Sequence, residues 1–125
     1  MVKLDEIYLS VAGINIVKQY QDNFKSIYET ALEIGRWDDK VMLIPEPDNP
    51  YDKKAIKVMI GDLQIGYVAK KCQYLIDTHC PILYKKPVEA EIADGGYLKD
   101  WAGVWCQIGV SVLTANASYY YCPNP

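Results

Sequence analysis

The stretch Pro45-Glu46-Pro47-Asp48-Asn49-Pro50-Tyr51-Asp52 decides how this chain is organised. Its three prolines within six residues exclude a helix and a central strand, because proline lacks a backbone N–H and clashes with the preceding helical turn. The Asp48-Asn49-Pro50 run is typical of a turn, and a residue before proline favours extended backbone. We therefore predict a stiff connector over residues 45–52 that presents Tyr51 and Asp52 at its end.

Two hydrophobic runs after the connector predict a β-hairpin. Residues 55–60 and 63–68 are rich in Ile and Val, and Gly61-Asp62 lies between them. A Gly-Asp pair between two such runs is typical of a two-residue hairpin turn. Four more segments have strand character, with alternating or continuous apolar residues: 7–12, 41–44, 88–93 and a long candidate within 101–113. We expect Asp94-Gly95-Gly96 to form the turn between the last two.

Helical periodicity is confined to two segments. Apolar residues recur at helical spacing from Phe24 to Ile34, which predicts an amphipathic helix that packs on the core. Residues 15–22 are predicted as a loop, with Asp22 or Asn23 capping this helix and Gly35 ending it.

A second, shorter helix is predicted from Lys70 to Thr78, and Pro81 must interrupt it. The combined pattern predicts a mainly β (α+β) fold, a small six-stranded β-barrel, closed or partly open, with one or two short helices.

The chain has 125 residues, half of them hydrophobic and 23% charged, so we expect one globular domain over residues 1–125. No apolar run approaches the ~18 residues that span a bilayer, and the first residues lack the hydrophobic region of a signal peptide. We therefore expect a cytoplasmic protein without membrane contact. The four cysteines form no CxxC pair, which favours free thiols.

Charge is distributed unevenly along the chain. The net charge is −3, which argues against coating nucleic acid by bulk positive charge. Residues 53–86 nevertheless carry seven lysines and two aspartates. These lysines either solvate strand ends or form a local site for an anion. Tyr51 and Tyr67 accompany them, and tyrosine rings beside ammonium groups are the arrangement expected for single-stranded nucleic acid.

No motif in the chain indicates catalysis. There is no Walker loop, GxGxxG or GxSxG, and the abundant aspartates fall near turns. We expect no cofactor. Zinc is disfavoured because its candidate ligands lack paired short spacing: Cys72, His79, Cys80, Cys106 and Cys122. We therefore expect a protein that is not an enzyme.

Three segments together resemble the HIRAN domain. They are the run from Glu46 to Val58 (EPDNPYDKKAIKV), the run Gln64-Ile65-Gly66-Tyr67-Val68, and the early Val11-Ala12-Gly13-Ile14. The resemblance implies an OB-like barrel that binds single-stranded DNA at a free 3′ end. HIRAN domains often accompany helicase-type enzymes at stalled replication forks, which implies a role in DNA repair or fork processing. Since no ATPase motif is present, the chain resembles a stand-alone, bacterial-type member.

The resemblance also implies roles for individual residues. Asp52 matches an aspartate that accepts a hydrogen bond from the 3′-hydroxyl, Tyr51 lines the pocket, and Lys70 contacts a phosphate. Tyr67 occupies a position where a eukaryotic relative has histidine. Lys53 and Lys71 extend the predicted nucleic-acid contacts.

One departure lies at Asn15-Ile16, where well-characterised members have arginine and tyrosine. Asn15 could still donate to a phosphate, but Ile16 cannot stack on a base.

Three other interpretations follow from the same residues. Asp52 could serve only to hold backbone N–H groups of the loop, with Tyr51 packed on the barrel. The chain could instead be a protein-interaction module that forms homo-oligomers through the Tyr119-Tyr120-Tyr121 tail. A small metal-dependent hydrolase with Asp48 and Asp52 on a divalent ion is the third.

Overall fold

The structure is a computed structural model that describes residues 6–14, 16–35, 40–95 and 108–113. These ranges contain six strands and two α-helices: β1 (Glu6–Ala12), α1 (Lys18–Ile34), β2 (Val41–Pro45), β3 (Ile56–Ile60), β4 (Leu63–Val68), α2 (Gln73–His79), β5 (Val88–Gly95) and β6 (Ile108–Leu113). Short 3₁₀ turns cover Lys70–Cys72 and Pro81–Tyr84. No helix in this part of the chain is long and apolar enough to cross a membrane.

The six strands close into an antiparallel barrel in the order β1-β4-β3-β2-β5-β6. The barrel closes because β6 pairs back onto β1, with Leu9 opposite Val110. Alternate residues of β1, β2 and β3 are buried, and the core contains Leu43, Val58 and, from β4, Ile65 at 0% exposure. The predicted mainly β, six-stranded barrel is confirmed, and it is closed.

The helix α1 packs on β4 and buries Phe24 and Ile27. It begins at Lys18, so the prediction of a loop over 18–22 and of a cap at Asp22 or Asn23 was wrong. The polar residues Lys18, Gln19 and Gln21 are good helix formers, and an exposed i,i+4 pair adds weakly, with Lys18 Nζ 2.9 Å from Asp22 Oδ2. The predicted stop at Gly35 is confirmed, where φ is +79°.

The apolar stripe of α1 is only partly covered by the described residues. Leu32 is 63% exposed and Ile34 is 51% exposed, although helical spacing predicts that they pack inward. Periodicity indicates which side of a helix is apolar, but it does not indicate how far along the helix the packing surface extends.

The predicted turn at residues 94–96 was wrong for its first two residues. Asp94 pairs with Gly109 and Gly95 pairs with Ile108, so β5 continues to Gly95. The register shifts between Ile92 and Asp94, and a β-bulge of this kind lets a strand continue past a residue that does not pair regularly. Pairing with β6 therefore outweighed the local preference of Asp94 and Gly95 for a turn.

Two of the four cysteines lie in the described residues. Cys72 and Cys80 are buried and free, and burial raises the pKa of the Cys80 thiol to about 11, so it stays protonated at neutral pH. Cys106 and Cys122 and the tyrosine tail at 119–121, with the oligomer interface predicted there, lie outside the described residues.

Candidate functional site

An open cleft of about 540 Å³ lies where the connector meets the ends of β1 and β4. The connector and Ala55 form one side, and Ala12, Tyr67, Val68 and Lys70 form the other. Its volume falls within the ~300–1,000 Å³ range of ligand sites in proteins. The connector contributes five residues to the lining: Glu46, Asn49, Pro50, Tyr51 and Asp52.

Hydrogen bonds within the connector hold its shape. Asn49 Oδ1 accepts from the backbone N–H groups of Tyr51 at 2.8 Å and Asp52 at 3.0 Å. The base of the loop is closed by the Glu46 N–H, which donates to the Ala55 carbonyl at 2.9 Å. An asparagine that binds backbone groups two and three residues ahead fixes a turn, and the prolines restrict φ around it. These contacts provide the rigidity that the sequence predicts.

A β-bulge on β4 sets the orientation of Tyr67. Val58 pairs with Gly66 but Met59 pairs with Gln64, so Ile65 is the extra residue. Gly66 has φ of +153°, and a Cβ atom there would lie 2.4 Å from the Ala12 carbonyl oxygen. Only glycine fits this close approach. The bulge therefore lets β1 lie against β4 with Ala12 opposite Tyr67, at the wall of the cleft.

Glu46 is the centre of a hydrogen-bonded cluster in the cleft wall. Its Oε1 accepts from the Tyr67 hydroxyl at 2.9 Å and from Asn49 Nδ2 at 2.6 Å. Its Oε2 lies 3.4 Å from Lys57 Nζ. The Asn49 bond is the main cause that lowers the pKa of Glu46, whereas burial and the bond to Glu46 raise the pKa of Tyr67. Glu46 is thus an ionised structural acceptor.

Asp52 accepts two hydrogen bonds from different parts of the chain. Its Oδ1 accepts from the Lys54 backbone N–H at 2.9 Å, and its Oδ2 accepts from Gln73 Nε2 at 2.9 Å. These two bonds, followed by the charges of Lys70 and Lys54, lower the pKa of Asp52. Asp52 therefore presents an ionised carboxylate to the cleft, and it also performs the loop-holding role of the alternative interpretation.

Tyr51 does not pack on the barrel. Its side chain is 93% exposed, and its ring borders the cleft. The packed position that the loop-only interpretation requires was therefore wrong for Tyr51. An exposed ring at the rim of a cleft is available to contact a flat ligand.

The structure brings four of the predicted site residues together in the lining of the cleft: Tyr51, Asp52, Tyr67 and Lys70. Lys53 and Lys71 are exposed but lie outside the lining. Asn15 lies outside the described residues, and its neighbour Ile16 is 81% exposed.

Sequence reasoning missed three residues that shape the site: Glu46, Asn49 and Gln73. The first two belong to the connector, and the position of Asn49 two residues before Tyr51 was a usable signal for a loop-bonding asparagine. Nothing in the sequence pairs Gln73 with Asp52, since 21 residues separate them.

The cleft lining combines apolar walls with two tyrosines, one lysine and two carboxylates, those of Glu46 and Asp52. Such a surface can pack a flat ring, donate to an anionic oxygen and accept from a hydroxyl. Among the described residues, no group of three or more His, Cys, Asp or Glu could hold a metal ion. The hydrolase interpretation thus gains no support from the connector aspartates.

Comparison with known families confirms the resemblance that the three sequence segments indicate. The family model described as the HIRAN domain matches residues 6–80, which include the connector, the β3–β4 hairpin and α2. Searches of curated proteins and of solved structures gave no significant match. The matched residues cover more than half of the chain and all ten residues of the cleft lining, and the chain belongs to the HIRAN domain family.

Proposed function

We propose that this protein is a non-enzymatic module that binds single-stranded DNA at a free 3′-hydroxyl end, in DNA repair or replication-fork processing. Membership of the HIRAN family suggests nucleic-acid binding. The observation that carries the proposal of 3′-end recognition is the ionised Asp52 carboxylate, which lines one open cleft with Lys70 and two tyrosines.

The chemistry of the cleft favours a terminal hydroxyl over a terminal phosphate. A carboxylate accepts a hydrogen bond from a hydroxyl but repels a phosphate, so Asp52 distinguishes the two ends. The exposed ring of Tyr51 offers a face on which a base can stack, worth roughly 1–3 kcal/mol. The Lys70 ammonium supplies a partner for the adjacent phosphate.

Binding of short oligonucleotides that end in 3′-hydroxyl or 3′-phosphate tests the proposal. We expect the 3′-hydroxyl form to bind about tenfold more tightly, because a hydrogen bond to a charged group contributes ~1.5–3 kcal/mol. An oligoribonucleotide of the same sequence forms a second arm and reports the preference between DNA and RNA. Equal affinity for the two ends, or no binding at low salt, would overturn the proposal.

Asp52→Asn tests the residue that carries the proposal. The amide keeps the shape and one acceptor oxygen but removes the charge, so we expect the preference for 3′-hydroxyl to fall while binding itself persists. Asp48→Asn is the matched control, since Asp48 lies in the same connector but not in the cleft lining. An unchanged end preference in Asp52→Asn would exclude this carboxylate as the discriminating group.

A further inference from the structure

A network of side chains behind Asp52 joins the connector to α2 and to the 3₁₀ turn at Pro81–Tyr84. Gln73 Nε2 donates to Asp52 Oδ2 at 2.9 Å. The Tyr84 hydroxyl donates to Asp77 Oδ1 at 2.7 Å and lies 3.3 Å from the Gln73 carbonyl oxygen. Lys54 Nζ lies 3.3 Å from the same Asp77 oxygen and 5.4 Å from the centre of the Tyr84 ring.

We propose that Gln73 is a positioning residue for discrimination of the nucleic-acid end, because its amide fixes the orientation of the Asp52 carboxylate. This inference rests on the proposed function. The Lys54 N–H holds one oxygen and Gln73 holds the other. Two donors on different oxygens fix the plane of a carboxylate, and each oxygen keeps a lone pair for a ligand. Gln73 itself does not line the cleft.

The charges around Asp52 explain why an orienting group is needed. Lys70 and Lys54 both attract its carboxylate, and Lys70 also lines the cleft. Without Gln73, one oxygen would be influenced only by the charges of Lys70 and Lys54, because the Lys54 N–H engages the other. Lys70 would then be drawn toward Asp52 and away from a phosphate. Gln73 thus orients the Asp52 carboxylate through an uncharged donor, and Lys70 stays available for a phosphate.

The remaining members of the network have a different role. Tyr84 contacts the Gln73 carbonyl and Asp77, both in α2, Asp77 pairs with the Lys54 side chain, and neither Tyr84 nor Asp77 lines the cleft. Tyr84 is partly buried against the core. These contacts join α2 to the turn at Pro81–Tyr84 and to Lys54, and they do not touch the Asp52 oxygens. They therefore provide a way to separate stability from end discrimination.

Gln73→Met is the first test, since methionine is similar in length and lacks the donor. We expect the ratio of affinities for 3′-hydroxyl and 3′-phosphate ends to fall about three- to tenfold. The pKa of the Asp52 carboxyl, followed by carbon NMR, should rise because a donor to the ionised form is lost. Gln19→Met, at an exposed position of α1, is the matched control and should change neither quantity.

Two further variants separate positioning from loss of structure. Tyr84→Phe should lower the denaturation midpoint but leave the end preference and the Asp52 pKa unchanged. Gln73→Glu should lose the preference at neutral pH, where two carboxylates repel, and regain it as pH falls and one proton is shared between them. Other charged or titratable groups around Asp52 include Glu46, Tyr51, Lys54, Tyr67, Lys70, Asp77 and Tyr84. Gln73→Met keeps all of them and is therefore the reference for the pH dependence of Gln73→Glu.

The outcomes distinguish the two proposals. Equal binding of both ends by the unmodified protein overturns the proposed function and this inference together. A wild-type end preference that Gln73→Met leaves intact, with an unchanged Asp52 pKa, overturns the inference alone. Equal effects of Tyr84→Phe and Gln73→Met on end preference would also overturn it, because general loosening would then explain both.

Discussion

The two carboxylates of the cleft differ in what surrounds them. Glu46 accepts hydrogen bonds from Tyr67 and Asn49 and forms an ion pair with Lys57, so partners within the protein balance its charge. Asp52 accepts one bond on each oxygen and keeps acceptor capacity toward the cleft. At the scale of single residues, one acid therefore supports the wall of the site and the other is placed to meet a ligand.

Glu46→Gln is expected to destabilise the fold by about 1–2 kcal/mol, because the charge-assisted bonds from Tyr67 and Asn49 become neutral ones. Urea denaturation measures the change. Glu89→Gln is the control, since Glu89 makes an exposed pair with Lys40 at 3.8 Å and should change the stability by less than ~0.5 kcal/mol. Equal effects of the two variants would contradict the supporting role of Glu46.

Acid should weaken the protein through the same residues. The pKa values of Glu46 and Asp52 lie below their ordinary values of 4.5 and 3.8. A lowered folded-state pKa gives stability that is complete above the unfolded-state value and is lost as pH falls through the folded-state value. We expect the free energy of unfolding to decline below about pH 4.5, with a shallower decline in Glu46→Gln. Denaturation series between neutral pH and pH 3 would measure this, and identical slopes would contradict it.

At the scale of elements, the bulge on β4 links the barrel to the site. It places Gly66 against the Ala12 carbonyl and Tyr67 opposite Ala12 in the cleft wall. The neighbouring helix contacts the strand beside the bulge, since Asn23 Nδ2 of α1 donates to the Gln64 carbonyl at 2.8 Å. An asparagine that the sequence indicates as a helix cap thus serves as a contact between helix and strand.

Gly66→Ala should therefore be among the most damaging small substitutions. The added methyl would lie 2.4 Å from a backbone oxygen at a φ of +153°, which we expect to cost about 3 kcal/mol. Gly35→Ala is the matched control, because φ is also positive there but no atom lies within 4 Å. It should cost only ~1–2 kcal/mol. Thermal denaturation of both variants measures the difference, and equal losses would show that the close approach to β1 is unimportant.

At the scale of the whole molecule, the lysines near the cleft come from one basic segment of an acidic chain. The chain has a net charge of −3, yet Lys70 lies in the cleft and Lys53, Lys54 and Lys71 follow its lining residues closely in sequence. The pairing of β3 with both β2 and β4 brings the connector and the end of β4 together. A local site for an anion can thus exist on an acidic protein.

The salt dependence of binding tests this distribution. Lys70→Ala should weaken binding of single-stranded DNA and reduce the slope of log affinity against log salt by about 0.7, the value for one phosphate contact. Lys25→Ala, on the exposed face of α1, carries the same change of net charge and should leave the slope unaltered. A reduction of equal size in both variants would indicate that net charge rather than the cleft governs binding.

Much of the fold was predictable because its signals are local. The Gly61-Asp62 turn, the inward alternation of β1 and the stop at Gly35 each depend on a few neighbouring residues, and the structure confirms them. The predictions for the start of α1 and for the end of β5 were wrong. At the start of α1, polar residues with good helix propensity were taken for a loop, and at the end of β5 a partner strand overrode the local preference for a turn.

By itself the sequence determined the stiff connector, the hairpin after it and the family, since prolines, turn residues and motif letters act within a short stretch of chain. Only the tertiary structure decided that Tyr67 binds Glu46, that Gln73 holds Asp52, and that Lys53 and Lys71 lie outside the cleft lining. These contacts join residues 21 positions apart. They depend on strand register, a bulge and helix placement, and such features arise from packing between segments that no local pattern encodes.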